Sequence, residues 1–262
     1  MGFGVLVYLG GILGTLFLLQ TIVLAVRKEP FQWTFGASSE QPKSLKLALK
    51  VVLQTTLVSA IFLYPFLIGV TPAAYYGPFF RPDRVYQFLQ GQALGLGIFG
   101  VVYWAEWRAG WLHFQPRYPA KKAWLKSGLS ALSSLTVVSI EEPIFRGIIL
   151  YGLLGAADPW LAVPLSAVFF SAAHYIRRVR IYWPSIGLAV LGIWLGVAFV
   201  KTGCLWFPMG LHSGGILAIG IHRCFLHYRG PAWLIGTQTY PIAGVLVILI
   251  MILGAAITGR WL

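Results

Sequence analysis

Residues 130–154 read SALSSLTVVSIEEPIFRGIILYGLL. Twenty-five residues of this apolar or small kind are enough to cross a hydrocarbon core, which takes about 20 in a helix. Yet Glu141, Glu142 and Arg146 lie in the middle of the run. The rest of the chain decides whether the segment is a soluble core helix or a span. Of 262 residues, 58% are hydrophobic and only 10% charged, with a mean hydropathy of +0.77. A soluble domain is about 45–50% apolar and about a quarter charged. These figures exclude a water-soluble enzyme, a disordered chain and a disulfide scaffold. The fold class they imply is all-α, a polytopic membrane protein of about eight transmembrane helices.

Working outward from 130–154, apolar runs place the other spans at about 3–26, 45–68, 86–106, 160–177, 184–201, 204–225 and 240–259. Thr71-Pro72, Gly77-Pro78, Arg81-Pro82, Asp158-Pro159 and Gly230-Pro231 punctuate the loops. Phe31, Trp33, Phe35 and Leu45 suggest an interfacial segment after the first span. The whole of 1–262 reads as a single integral membrane domain. With no basic region before the first apolar run, that run reads as a span and not as a cleaved signal.

The 20 Lys and Arg against 7 Asp and Glu give a formal charge of +13. Fifteen of these bases fall in alternate loops and four on the other side. Such a bias puts the richer loops in the cytoplasm and both termini outside, and it removes any need for a nucleic-acid partner. The loop Arg177, Arg178, Arg180 obeys the same rule. Trp104, Trp107, Trp111, Trp124, Trp160, Trp183, Trp206 and Trp261 sit near span ends as an aromatic belt. Cys204 and Cys224 lie at opposite ends of one expected helix and are not placed to pair.

An ionisable side chain at bilayer depth is costly and by default marks function. Five of the seven acids, Glu29, Glu40, Asp83, Glu106 and Asp158, fall in loops or at span ends. The other two are Glu141 and Glu142. Glu142 and Arg146 stand i,i+4 in the favourable orientation for a pair, whereas Glu141 lies about 100° round the helix. Pro143 removes a helical hydrogen bond and should bend the segment. His174 and His212 also fall inside spans, while His113, His222 and His227 read as interfacial or solvated.

In order, Glu141–Glu142–Pro143–Ile144–Phe145–Arg146 reads EExxxR, Phe170 to His174 reads FxxxH, and His212 supplies a third element. This order resembles the CPBP family, which includes type II CAAX prenyl endopeptidases and bacteriocin-processing and bacteriocin-immunity proteins. The resemblance covers about 141–216, within a family-like core of about 128–225. It implies a metal-independent glutamate endopeptidase with no cofactor. Glu141, helped by His174, would activate water, and His212 would hydrogen-bond the scissile carbonyl or its oxyanion. Glu142 and Arg146 would form the structural pair, and Phe170 would seat the histidine ring. The implied substrate is a membrane-anchored or lipid-modified polypeptide, and the implied setting a prokaryotic plasma (inner) membrane.

One element departs from the family pattern. HxxxN often closes the motif set, but Ile216 occupies the last position here. Ser213, or a backbone N–H exposed at Gly214, is then the candidate for oxyanion support. A non-proteolytic scaffold or immunity partner is the alternative from another class, and a metal-dependent membrane hydrolase the alternative among enzymes. No HExxH is present to favour the latter. Depth poses a further test. Counted from Lys126 and Arg177, Glu141 lies roughly 22 Å and His174 roughly 4 Å along its helix. Two groups that share a water need similar depths. Either the stretch from Lys126 to about Leu135 starts outside the bilayer, or the helix of His174 runs on through Arg177, Arg178 and Arg180.

Overall fold

The computed structural model describes residues 2–30, 42–67, 69–175, 182–238 and 240–261. The long helices among them are α1 (Gly2–Val26), α2 (Lys43–Leu67), α4 (Val85–Arg108), α5 (Ala120–Glu142), α7 (Pro159–Tyr175), α8 (Tyr182–Thr202), α9 (Trp206–Phe225) and α11 (Val245–Trp261). Short helices α3 (Pro72–Tyr76), α6 (Tyr151–Leu154) and α10 (Ala232–Ile235) connect or extend them. Each of the eight apolar runs becomes a helix because lipid offers no partner to backbone N–H and C=O groups, so each span must satisfy its own.

Gly4–Val26, Lys43–Leu67, Pro82–Arg108 and Ser185–Thr202 are long and apolar enough to cross a membrane, and Pro159–His174 and Val245–Arg260 are shorter apolar helices. α5 and α9, which fall short of that measure, carry buried ionisable side chains: Glu141 and Glu142 on the first, His212 and His222 on the second. Large apolar side chains such as Leu6, Phe62, Phe66, Leu89 and Trp160 cover the outside, a surface that only lipid accepts at this scale. The chain is an all-α polytopic membrane protein.

Helices α4 and α9 form the most intimate pair. Gly91 and Gly95 of α4 lie against the backbone of Phe207, Leu211 and Gly214, while Gly210 and Gly214 of α9 lie against Phe88, Gln92 and Leu96. A Cβ at any of the four glycines would overlap backbone atoms of the other helix. Two small-xxx-small faces thus interlock, the usual way for spans to approach closely without a hydrophobic driving force.

The expected fourth span is a continuous helical rod from Ala120 to Leu154, but it is not uniform. α5 ends at Glu142, Pro143–Leu150 are π-helical, and α6 resumes the α geometry. Pro143 supplies the cause, because it lacks the N–H that would extend the α ladder. π turns of this kind cluster at functional sites. At 1.5 Å per residue, the 35-residue rod measures roughly 50 Å and overreaches a 30 Å core by about 20 Å. The end near Lys126 therefore has room to stand outside the bilayer. Arg177, Arg178 and Arg180 lie outside the described residues.

One feature outside the helices was not read from the sequence, and one expectation needs correction. β1 (Leu112–Phe114) and β2 (Leu226–Tyr228) form an antiparallel ribbon with His113 opposite His227. Three-residue strands leave no periodicity to read, and this ribbon arises where the chain leaving α4 meets the chain leaving α9. Phe114 stacks on Phe225 at 6.2 Å, Trp124 packs on Phe225 at 5.0 Å, and Lys126 covers the Tyr118 ring at 4.9 Å. Leu45 is no interfacial anchor; it is buried with Leu24 and Leu49 where α1 meets α2. Phe31, Trp33 and Phe35 lie outside the described residues. The Cys204 and Cys224 thiols are free and buried, and the Cys204 Sγ–H donates to the Phe79 carbonyl.

Candidate active site

Glu142 is the hub of the interior polar cluster. Its Oε1 accepts from Arg146 Nη1 at 3.1 Å and from His212 Nδ1 at 2.8 Å. Arg146, fully buried, also donates from Nη2 to the Gly192 carbonyl of α8 at 3.2 Å. One carboxylate therefore links the α5–π junction to α9, and the arginine extends the link to α8. Charge-assisted hydrogen bonds are roughly twice as strong as neutral ones, and here water does not compete because Glu142 is 0% and Arg146 1% exposed.

Phe170 organises the histidines. Its ring meets the Arg146 guanidinium at 4.5 Å, the His174 ring at 4.8 Å and the His212 ring at 5.7 Å, both histidines edge-on. Phe145 closes the other side at 5.1 Å, and Ser166 donates to the Phe145 carbonyl from α7, meeting an acceptor in the irregular π segment. His174 Nδ1 lies 2.8 Å from the Phe170 carbonyl one turn before it. The packing role expected of Phe170 is thus a set of observed contacts.

Glu141 faces the open space. With His174 it lines a cavity of about 760 Å³ whose other walls are apolar, among them Leu9, Ile12, Phe17, Leu53 and Phe169. A second cavity of about 250 Å³ is lined by Glu141, His174 and His212 together, with Phe99, Gly215 and Ile216. His212 Nε2 stands 4.0 Å from Glu141 Oε2. The three ionisable residues picked from the sequence thus meet on one cavity, and the depth conflict between Glu141 and His174 disappears. Ile216 contributes only an apolar wall.

Ser213 and Gly214 are placed differently from expectation. Ser213 is fully buried and its hydroxyl is 3.0 Å from Ser134 Oγ and 3.3 Å from Gln92 Nε2. Gly214 abuts Gln92 and Leu96. Both belong to the α4–α5–α9 seam, about 100–200° round α9 from His212, so neither lines the cavity to meet an oxyanion.

A second buried polar cluster escaped the sequence reading. Glu106 ends α4 and His222 nears the end of α9, and both are 0% exposed beneath the ribbon. His222 stacks on Tyr103 at 5.2 Å and packs on Tyr228 at 4.5 Å. Gln238 caps the group, donating to the Leu226 carbonyl and accepting from Tyr228 N–H. Burial pushes the Tyr228 phenol well above its ordinary value. Position at a span end had suggested solvation, but the ribbon folds over these residues and covers them.

The chain is thus a helical membrane protein with a carboxylate and two histidines on one cavity. Residues 123–218 match the family model described as type II CAAX prenyl endopeptidase Rce1-like. This supports the CPBP family read from the motifs, and Glu141, Glu142, Arg146, Phe170, His174 and His212 all fall within the matched stretch. No match was found among curated proteins or among solved structures.

Proposed function

We propose that the chain is an intramembrane endopeptidase in which Glu141, with His174, activates a water molecule, and His212 serves the scissile carbonyl and its oxyanion. One observation carries this reading: Glu141, His174 and His212 line the same cavity. A carboxylate positioned as general base contributes about 10²–10⁴-fold, and the adjoining apolar cavity excludes the bulk water that would weaken each polar contact. The substrate is a membrane-anchored or lipid-modified polypeptide whose apolar part occupies the larger cavity while its backbone reaches Glu141. Glu142 and Arg146 hold the frame. The basic loops face the cytoplasm of a prokaryotic inner membrane and both termini face outward, as the positive-inside bias requires.

The reaction is read by reconstituting the full chain in lipid vesicles with a lipid-modified reporter peptide and identifying the fragments by mass. A new amine terminus within the peptide is the expected product. Substrate that stays intact across a panel of anchors would favour the scaffold reading, for which Ile216 in the cavity wall is the supporting observation. Among the described residues no three His, Cys, Asp or Glu side chains are grouped as metal ligands would be. Cleavage should accordingly proceed at an unchanged rate after exhaustive treatment with EDTA. A rate that collapses and returns on adding zinc would establish the metal-dependent alternative.

A further inference from the structure

Both histidines of the site have a partner that fixes which ring nitrogen carries the proton. Glu142 Oε1 already accepts from Arg146 Nη1, and an oxygen that takes a guanidinium N–H acts as an acceptor. The 2.8 Å contact with His212 Nδ1 is therefore an Nδ1–H donation. A carbonyl oxygen likewise only accepts, so His174 Nδ1–H donates to Phe170 at 2.8 Å. In a neutral imidazole one nitrogen donates and the other accepts. The Nε2 of each is then an acceptor, and a neutral His212 has no hydrogen at Nε2 to give to an oxyanion.

The position of that Nε2 supplies the second half of the argument. It lies 4.0 Å from Glu141 Oε2, too far for a direct bond. Two hydrogen bonds of about 2.8 Å meeting at one water at about 90–100° span that gap. Among the described residues, the charged and titratable groups around His212 are Glu141, Glu142 and Arg146 on the α5–π segment and His174 across Phe170 on α7.

We infer that His212 is a proton carrier and not a fixed oxyanion donor, and that Glu142 is the positioning residue that makes it one. The inference rests on the endopeptidase reading. The water oxygen forms its bond to the carbonyl carbon as Glu141 takes a proton from it. The former water oxygen, now the hydroxyl of the tetrahedral adduct, relays that proton. It takes it from Glu141 as its own remaining proton passes to His212 Nε2, giving an imidazolium that Glu142 stabilises across the ring. The new Nε2–H then faces the oxyanion. When the C–N bond breaks, the proton goes to the leaving nitrogen, and Glu141 and His212 return to their starting states. No oxidant, reductant or further reactant is needed. A buried carboxylate that holds a histidine in one tautomer and stabilises its charged form is an established catalytic device.

Glutamine at position 212 separates the two roles, because its amide donates a hydrogen bond but cannot carry a proton. For a carrier, His212→Gln and His212→Ala both lose at least about a hundredfold in kcat, with little change in KM. If His212→Gln stays within tenfold of the wild type, the fixed-donor role stands and the inference is overturned. Nitrogen-15 NMR of the histidine-labelled full chain, without substrate, reads the tautomer directly, with the His212 signals identified by their loss in His212→Gln. The expected neutral form is Nδ1–H, and Glu142→Gln should weaken that preference, since an amide oxygen is a weaker acceptor for Nδ1–H than a carboxylate oxygen. An Nε2–H tautomer in an active wild type overturns this inference alone. Absence of cleavage by the wild type overturns the endopeptidase reading, and the carrier role with it, even where the tautomer is as expected.

Discussion

Replacing Glu141 by glutamine should lower kcat at least about a thousandfold, within the 10²–10⁴ range for loss of a general base, while the protein folds and is purified as before. The side chains have nearly the same shape. Glu141 faces two cavities, where an amide of the same shape leaves the packing as it is. Glu142→Gln removes instead a charge shared by Arg146 and His212. Its thermal midpoint should therefore fall, in contrast to Glu141→Gln, because breaking one partner of a buried ionic group costs about 3–5 kcal/mol. Both variants are compared by reporter cleavage and by thermal unfolding in the same detergent. More than a tenth of wild-type activity in Glu141→Gln would remove this residue from the chemistry. A scaffold protein would complement a deletion strain equally well with either glutamate changed, provided it is expressed.

The second large effect concerns stability. Gly210→Val should eliminate folded protein in the membrane, not merely reduce its activity. A Cβ there would run into the Phe88 carbonyl, and the neighbouring contacts, at 2.8 Å to Phe88 C and 2.9 Å to Gln92 N, are also backbone, so no side chain is available to swing away. α4 and α9 would have to separate, and His212 two residues on would leave the Glu142 Oε1 that holds it. The control is Gly97→Val, at a site where an added Cβ meets nothing within 4 Å, and it should accumulate normally. Yield and monodispersity on size exclusion decide the matter. If Gly210→Val behaves like the control, the close seam is not what holds the pair together.

Much of this was legible in the sequence because membrane insertion writes its requirement into hydropathy. The expected span at 86–106 corresponds to Val85–Arg108, and that at 204–225 to Trp206–Phe225. Glu141, His174 and His212 stood out for the related reason that charge at such depth needs a purpose. What hydropathy does not encode is which way a residue faces its neighbours. Ser213 follows His212 directly yet points to Ser134, and the turn between successive helical residues alone moves it off the cavity. Glu106 and His222 were read from their distance along the chain, whereas their burial depends on a ribbon made by residues more than a hundred positions apart. Trp206 shows the same limit. Its position suggested a belt residue, but its ring packs edge-on to Phe80 and Phe88.

The π turn after Pro143 also separates two problems that a regular helix would couple. In an unbroken α-helix, the direction of every side chain on one half fixes the direction of every side chain on the other. A wider turn between them resets the angular register, so Glu141 and Glu142 can face the cavity and α9 while Gly152 packs against Val5 of α1. The upstream half is then free to be shaped for chemistry and the downstream half for assembly. Removing one residue between Ile144 and Ile149 would rejoin them into one regular helix and couple the two directions again.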